Sequence, residues 1–345
     1  MSKYKAIGID LAKKIFHIAA INHNNKVILK RAINRQDFFE QLPILFPSTE
    51  TFAFEACGGC NYTAQKLQAL GHTVILLKPK DVKAYAKSRQ KNDMNDAIAI
   101  CKAACDPDIM HVSAKSRDEQ EIAYIHKARQ NTIRQRIQRS NSLMTSMIEF
   151  GYVPNCKKAE FARMYLLYLE EAYKEGFLPK PVYEQMLADG QEIEHLLKRQ
   201  QQLEKAIKTQ NKKSPKAKLL QTIPGIGPIN ASILSIKPVE LYETAKDFAA
   251  SLGLVPKQHT TGGKIILGSI TKQGDRYART MLIQGGRAIV MRCSKVNPPK
   301  EPIYELVARL KKAGKPFNVI CVAVANKLAR IAYGCMLQHK EYSGR

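Results

Sequence analysis

The sequence predicts an α/β domain followed by α-helical regions: a mixed β-sheet with helices on its faces, then long polar helices, then a mostly helical carboxy-terminal part. Three observations predict it. Strand and helix signals alternate through the first third, the pattern turns to long polar helices from about residue 116, and beyond residue 213 a glycine-containing turn joins two short helical stretches. The chain has 345 residues, more than the roughly 250–300 at which a single core stops growing, so at least two units are expected. The boundaries are set at 1–115, 116–213 and 214–345.

The first three runs, KAIGID, IFHIAAI and KVILKRAI, read as β-strands, with Asn22, Asn24 and Asn25 marking the turn between the last two. They form an expected antiparallel meander. Residues 36–46 read as a helix, TFAFEA as a strand, NYTAQKLQALG as a helix closed by Gly71, and HTVILLK as a strand, with helices after it. This order is the ribonuclease H layout. In the middle region Ile193, Leu196, Gln200, Leu203 and Ile207 alternate steps of three and four, a short coiled-coil seam for use within one molecule or between two. The basic segment NKKSPKAK, residues 211–218, marks the next boundary. In LLQTIPGIGPINASILSI a tight PGIG turn joins two helices, giving a helix-hairpin-helix in which Gly225 and Gly227 let the backbone approach a phosphate. The alternative is a simple corner between helices.

Lys and Arg number 55 against 30 acidic residues, a net charge of +25 spread along the chain, and the expected partner is a polyanion. A membrane is not expected, because no run approaches the ~20 uncharged apolar residues of a bilayer span. The most apolar stretch, FNVICVAVANKLARIAYGCML, is interrupted by Asn326, Lys327 and Arg330 and reads as a packed amphipathic helix. The start, MSKYKAIGID, has no secretory apolar region, and a cytoplasmic protein is expected. Eight cysteines without that signal point to reduced thiols, and the CxxC of Cys57 and Cys60 has no second ligand pair to complete a zinc site.

Four acids stand out. Asp10 ends the first strand signal, Glu55 ends the fourth just before Gly58 and Gly59, and Asp93 and Asp96 in KNDMNDA share one face of a helix starting near Asn92. Side chains at the ends of neighbouring strands can converge at one sheet edge. Each acid alone has a plain use, Asp10 in a turn and Asp93 as a helix cap. Gathered together they repel unless protons or divalent cations neutralise them. Two magnesium ions about 4 Å apart would do so and would clamp the attacking and leaving oxygens of a phosphodiester.

These blocks, GIDLAKKIFHIA, FEACGG and KNDMNDA, resemble the DEDD transposases of the insertion-sequence one-ten family, whose catalytic domain is similar to the RuvC Holliday-junction resolvase. Downstream, IPGIGPINA, FAASLGLVPKQHTTGGK and LGSITKQGDRYARTMLIQGGRA resemble that family's carboxy-terminal transposase domain, closest to its eleven-eleven branch. The resemblance implies a recombinase that moves an insertion element under the direction of a structured non-coding guide RNA, called a bridge or seek RNA, pairing with donor and target DNA. It implies Asp10, Glu55, Asp93 and Asp96 as metal-binding acids for Mg2+, with Mn2+ as a substitute. It also implies a homo-oligomer, dimer or tetramer, and a serine nucleophile just before a glycine that links covalently to DNA.

Here PKQHTTGGK holds Thr260 and Thr261 in place of that serine, and the spacing from Pro256 with the following Gly262 favours Thr261. Thr261 as nucleophile, Thr260 as nucleophile, and impaired covalent chemistry are the readings that survive, with Ser269 a distant fourth. His259 beside them is a candidate base or a phosphate contact. Lys264, Lys272, Arg276 and Arg279 surround the block and are expected at DNA or RNA phosphates, their alternative being a solvated basic face. Tyr277 as a recombinase phenol would not require the four acids, and TTGGK lacks the order of a nucleotide-binding loop. Two rivals stand: a junction resolvase using metal-activated water, and a non-catalytic nucleic-acid scaffold whose acids balance charge.

Overall fold

A computed structural model describes residues 2–86, 92–261, 264–293 and 300–344, and only the backbone of Ala159, Thr261, Lys264 and Ile265. The chain divides into two compact units, Met1–Gln120 and Glu121–Arg345.

In the first unit, β1 (Ala6–Leu11), β2 (Ile15–Ile21) and β3 (Val27–Asn34) form the antiparallel meander, and Asn25 takes the left-handed backbone at its second turn. The Asn22 side chain holds that turn by accepting from the amides of Asn24 and Lys26. Then follow α1 (Phe38–Leu45), β4 (Thr51–Glu55), α2 (Cys60–Ala69), β5 (Thr73–Leu77), α3 (Pro79–Val82) and α4 (Asp93–Ala104). The sheet order is β3-β2-β1-β4-β5, with β4 parallel to β1 and β5 parallel to β4.

Alternation along the strands sorts the two faces. Ile7, Ile9, Phe16, Ile18, Phe52 and Phe54 pack with Phe38 and Leu42 of α1 and with Ala64 and Leu67 of α2. The intervening residues, Ala6, Ala19, Ala53 and Leu77 among them, meet Ala97, Ala99, Ile100 and Cys101 of α4. Small residues on this second face bring the α4 backbone close. A Cβ built on Gly8 would lie 2.3 Å from the Ala97 carbonyl oxygen, and the Gly8 amide instead donates to Cys101 Sγ at 3.0 Å. Burial pushes the Cys101 thiol up to about 12, so it stays protonated and donates to the Ala19 carbonyl at 3.1 Å.

Among the described residues the second unit is helical apart from one hairpin. Its elements are α5 (Arg117–Glu149, which starts in the first unit), α6 (Lys158–Lys174), α7 (Lys180–Asn211), α8 (Pro215–Leu220), α9 (Pro228–Ser235), α10 (Ala245–Ser251), β6 (Pro256–Thr261), β7 (Lys264–Ile270), α11 (Arg276–Arg292), α12 (Pro302–Lys312) and α13 (Phe317–Gln338). Arg139 pairs with Glu192 at 2.5 Å, Arg129 with Glu204 at 2.8 Å, and Gln210 donates to Glu121 at 2.6 Å. Position rises along α5 as it falls along α7, so the two helices run antiparallel side by side. Ile193 and Ile207 of the heptad seam are buried and Leu196, Gln200 and Leu203 half-buried. Beyond that contact, Met147, Phe161, Leu169 and Ile193 build a core of their own.

The larger core of this unit gathers α8 to α13. By length and composition α13 could cross a membrane, yet Ile320, Val324, Leu328, Ala332 and Met336, one turn apart, are buried in that core. The PGIG turn packs on α11 through two glycines: Gly225 has φ +82°, and a Cβ on Gly285 would lie 2.3 Å from the Gly225 carbonyl oxygen. Replacing Gly285 by Ala is expected to destabilise this unit by roughly 1–3 kcal/mol, seen as a lower midpoint in urea.

Candidate functional site

The acid cluster follows from strand parity. Gly8 faces α4, so Asp10, two residues on, faces the same side. Glu55 is two residues beyond Ala53, and Asp93 and Asp96 occupy the first turn of α4. Asn92 caps that helix, its side chain accepting from the Met94 amide at 2.9 Å, and the helix N-terminus favours the two acids. The structure brings all four carboxylates into electrostatic contact. Partial burial, then Asp93 and Asp96, raise Asp10 above the usual carboxylate range, with His17 opposing. Partial burial, then Asp10 and Asp96, raise Glu55.

A fifth member of this group escaped the sequence reading. His17 on β2 is the register partner of Asp10, and its Nδ1 lies 3.6 Å from Asp93 Oδ2. Donor atoms of Asp10, His17 and Asp93 all lie within 4.8 Å of one another. The signal available was parity in IFHIAAI: Phe16 and Ile18 bury on one face, leaving His17 on the face of the acids.

Oxygen donors gathered here suit a hard divalent cation, and carboxylates raised by burial and then by one another are what such a cation would relieve. The donor set fits the divalent ion expected of the acids. Nearby, Cys57 is exposed and Cys60 buried, and the eight cysteines are free thiols.

In the second unit the candidate nucleophile block forms a β-hairpin within a part expected to be mostly helical. His259 pairs with Ile266 and Thr260 with Ile265, and Gly262 and Gly263 lie outside the described residues. Thr260 is exposed, and its hydroxyl accepts from Gln258 Nε2 at 3.3 Å. His259 is exposed on the opposite face of the strand. The side chains of Thr261 and Lys264 lie outside the described residues. Ile266, Leu267 and Ser269 of β7 are exposed too, an unusually open strand for a two-stranded ribbon.

Of the basic residues, Lys272 and Arg276 are exposed. Arg279 corrects the expectation: it is buried, and its Nη1 donates to the carbonyls of Leu252 at 2.9 Å and Gln273 at 2.7 Å. Its guanidinium ties the loop before α11 to the end of α10 and is unavailable to phosphate. A Cβ on Gly225 would meet Ile289 at 2.6 Å, so that glycine serves packing against α11. Gly227 precedes α9 with open space where a Cβ would stand. Tyr277 is held internally, its hydroxyl 3.2 Å from His126 Nδ1 and accepting from Arg129 Nη1 at 3.1 Å. Burial, then Arg129, pushes His126 down to about 4, so this pair is a neutral packing element.

Comparison with known proteins places this geometry. The DEDD transposase model of the IS110 family matches residues 7–150, and the model described as "Transposase IS116/IS110/IS902 family" matches residues 217–300. A Pseudomonas aeruginosa protein described as "Probable family 20 transposase" is 37% identical over 97% of this chain and 98% of its own length. The Coxiella burnetii transposase for insertion sequence element IS1111A is 30% identical over 99% of this chain and 92% of its own. A Moraxella bovis pilin gene-inverting protein is 25% identical over 98% of both chains. Mixed sheet, acid cluster and relatives together define a DNA transposase. The chain belongs to the IS116/IS110/IS902 family of transposases.

Proposed function

We propose that this transposase is an RNA-guided recombinase that cuts and rejoins DNA, using Asp10, Glu55, Asp93 and Asp96 to hold Mg2+ and a threonine hydroxyl of the β6–β7 hairpin as nucleophile. The observation that carries the reading is the convergence of four acids from β1, β4 and α4 on one face of the sheet, inside a chain of net charge +25. An uncompensated acid cluster opposes polyanion binding, so a scaffold would gain nothing from it. A bound divalent ion, or two, would supply Lewis-acid stabilisation of charge on the scissile phosphate.

The chain's own residues do the rest. On this reading residues 1–115 are a ribonuclease H-like, RuvC-like catalytic domain, 116–213 a helical and coiled-coil region, and 214–345 the carboxy-terminal transposase domain. Exposed Lys272 and Arg276 hold nucleic-acid phosphates, and Gly227, at the start of the second helix of a helix-hairpin-helix, offers open backbone to another. Thr260 is exposed on a short ribbon that a DNA backbone can reach, and Thr261 shares that ribbon. The partners are donor and target DNA, the element's guide RNA, and further copies of the chain as a dimer or tetramer, acting in the cytoplasm. Inversion by a relative fits chemistry that rejoins ends as well as cutting them.

The test is to incubate the protein with its element-derived RNA, Mg2+ and matched DNA, then isolate and map any protein–DNA adduct. An adduct on Thr261 or Thr260, lost in the matching Thr→Ala variant, is the expected result. Free DNA ends with no adduct would replace the hydroxyl mechanism with water attack, as in a resolvase.

A further inference from the structure

We infer that His17 is a nitrogen ligand of the divalent ion held by Asp10 and Asp93, which turns part of an all-oxygen site into a mixed one and shifts its preference from Mg2+ toward Mn2+. The inference rests on the reading of the acids as a metal site and adds a residue and a selectivity to it.

Three observations carry it. First, the antiparallel register sets His17 directly beside Asp10, and strand parity turns both toward the start of α4. Second, donor atoms of Asp10, His17 and Asp93 lie within 4.8 Å of one another. Around an ion with bonds of about 2.1–2.2 Å, adjacent donors stand about 3 Å apart and opposite ones a little over 4 Å. One ion can therefore touch all three after small side-chain movements. Third, His17 Nδ1 is shielded from solvent and has no hydrogen-bond partner among the described residues. Asp93 Oδ2, at 3.6 Å, is too far for a hydrogen bond. A buried ring nitrogen that faces two carboxylates and bonds neither is costly unless something sits between them.

A role in packing accounts for the carbon atoms of the ring but not for this nitrogen. A phenyl ring or an aliphatic chain would fill the same face without an orphan polar atom. Imidazole favours transition ions over Mg2+, which takes oxygen ligands almost exclusively. Manganese tolerates both donor types.

The experiment uses the full-length protein loaded with Mn2+, read by pulsed electron paramagnetic resonance for coupling to a directly bound nitrogen. Native protein is expected to show 14N modulation that becomes a 15N pattern when histidine is 15N-labelled, a result that needs no variant to fold. His17→Gln is expected to lose the coupling and about tenfold in Mn2+ affinity, with Mg2+ affinity nearly unchanged. Bound Mn2+ without nitrogen coupling in native protein, or coupling that survives in His17→Gln, overturns the inference and leaves the acid site standing. Mn2+ binding that is absent from native protein, or that Glu55→Gln leaves untouched, overturns the acid site itself.

Discussion

Asp10→Asn is expected to abolish DNA cleavage and joining, by a factor of roughly a hundred to a thousand or more, while making the metal-free protein slightly more stable. The two effects have one cause. Burial and then Asp93 and Asp96 raise Asp10, and burial and then Asp10 and Asp96 raise Glu55. An acid whose folded-state pKa is raised favours folding when protonated. That contribution is complete below the ordinary carboxylate range and is lost as pH rises through the raised folded values, so at neutral pH the ionised cluster opposes folding. The neutral amide removes one charge from it. Water screens much of the repulsion at these half-exposed groups, so the gain is expected at roughly 1–3 °C in Tm. A cleavage assay checks the first half, and calorimetry in chelator, then in Mn2+, checks the second: the ion should stabilise native protein and leave Asp10→Asn nearly where it was. A variant that lost activity and stability together would mean that Asp10 serves the fold.

Gly8→Val is expected to unseat the site without touching an acid. A Cβ at this position would stand 2.3 Å from the Ala97 carbonyl oxygen and 2.8 Å from the Cys101 amide nitrogen, both backbone atoms of α4. Neither can yield unless the helix lifts from the sheet, and α4 carries Asp93 and Asp96 at its first turn. Overpacking of this kind costs about 1–3 kcal/mol, and valine, larger than the single added carbon, belongs at the upper end. Urea denaturation should show that loss, and Mn2+ affinity should fall with it as the helix acids leave Asp10 and Glu55. Gly58→Ala is the control, because a Cβ there meets nothing within 4 Å and the residue also neighbours Glu55. Equal effects at the two glycines would remove close helix–sheet approach as the reason the site assembles.

Much of the first unit could be read from residue order, because strand parity and helix caps are local. TFAFE ends on an acid, KAIGID carries one at its end, and alternation decides which face each shares. Asn92 before Asp93 is a capping pattern that can be read from sequence, and it sets both helix acids at the end where the helix dipole favours them. The α13 stretch was legible for a similar reason. Its apolar residues recur at helical spacing while Lys327 and Arg330 interrupt them, and the core takes the apolar stripe.

Other features depended on neighbours distant in sequence. Arg279 lies in a basic run that reads as a phosphate surface, yet folding sets it against the carbonyls of Leu252 and Gln273, and no local pattern announces those partners. Gly225 looks like a phosphate turn, but Gly285, sixty positions on, makes it a packing contact. Residues 256–270 sit among helices and pair with each other because their polar, threonine-bearing strand has a β-branched partner in KIILGSI.

The sequence by itself therefore determined the order of strands and helices in the first unit, the positions of the four acids along it and the net positive charge, since composition, alternation and caps are properties of residues a few positions apart. Only the tertiary structure decided that His17 stands beside Asp10, that Arg279 is spent inside the protein, and that Arg129 and Arg139 of α5 pair with Glu204 and Glu192 of α7. Those outcomes turn on which surfaces meet when strands and helices pack, and contacts between residues far apart in the chain leave no periodicity to read.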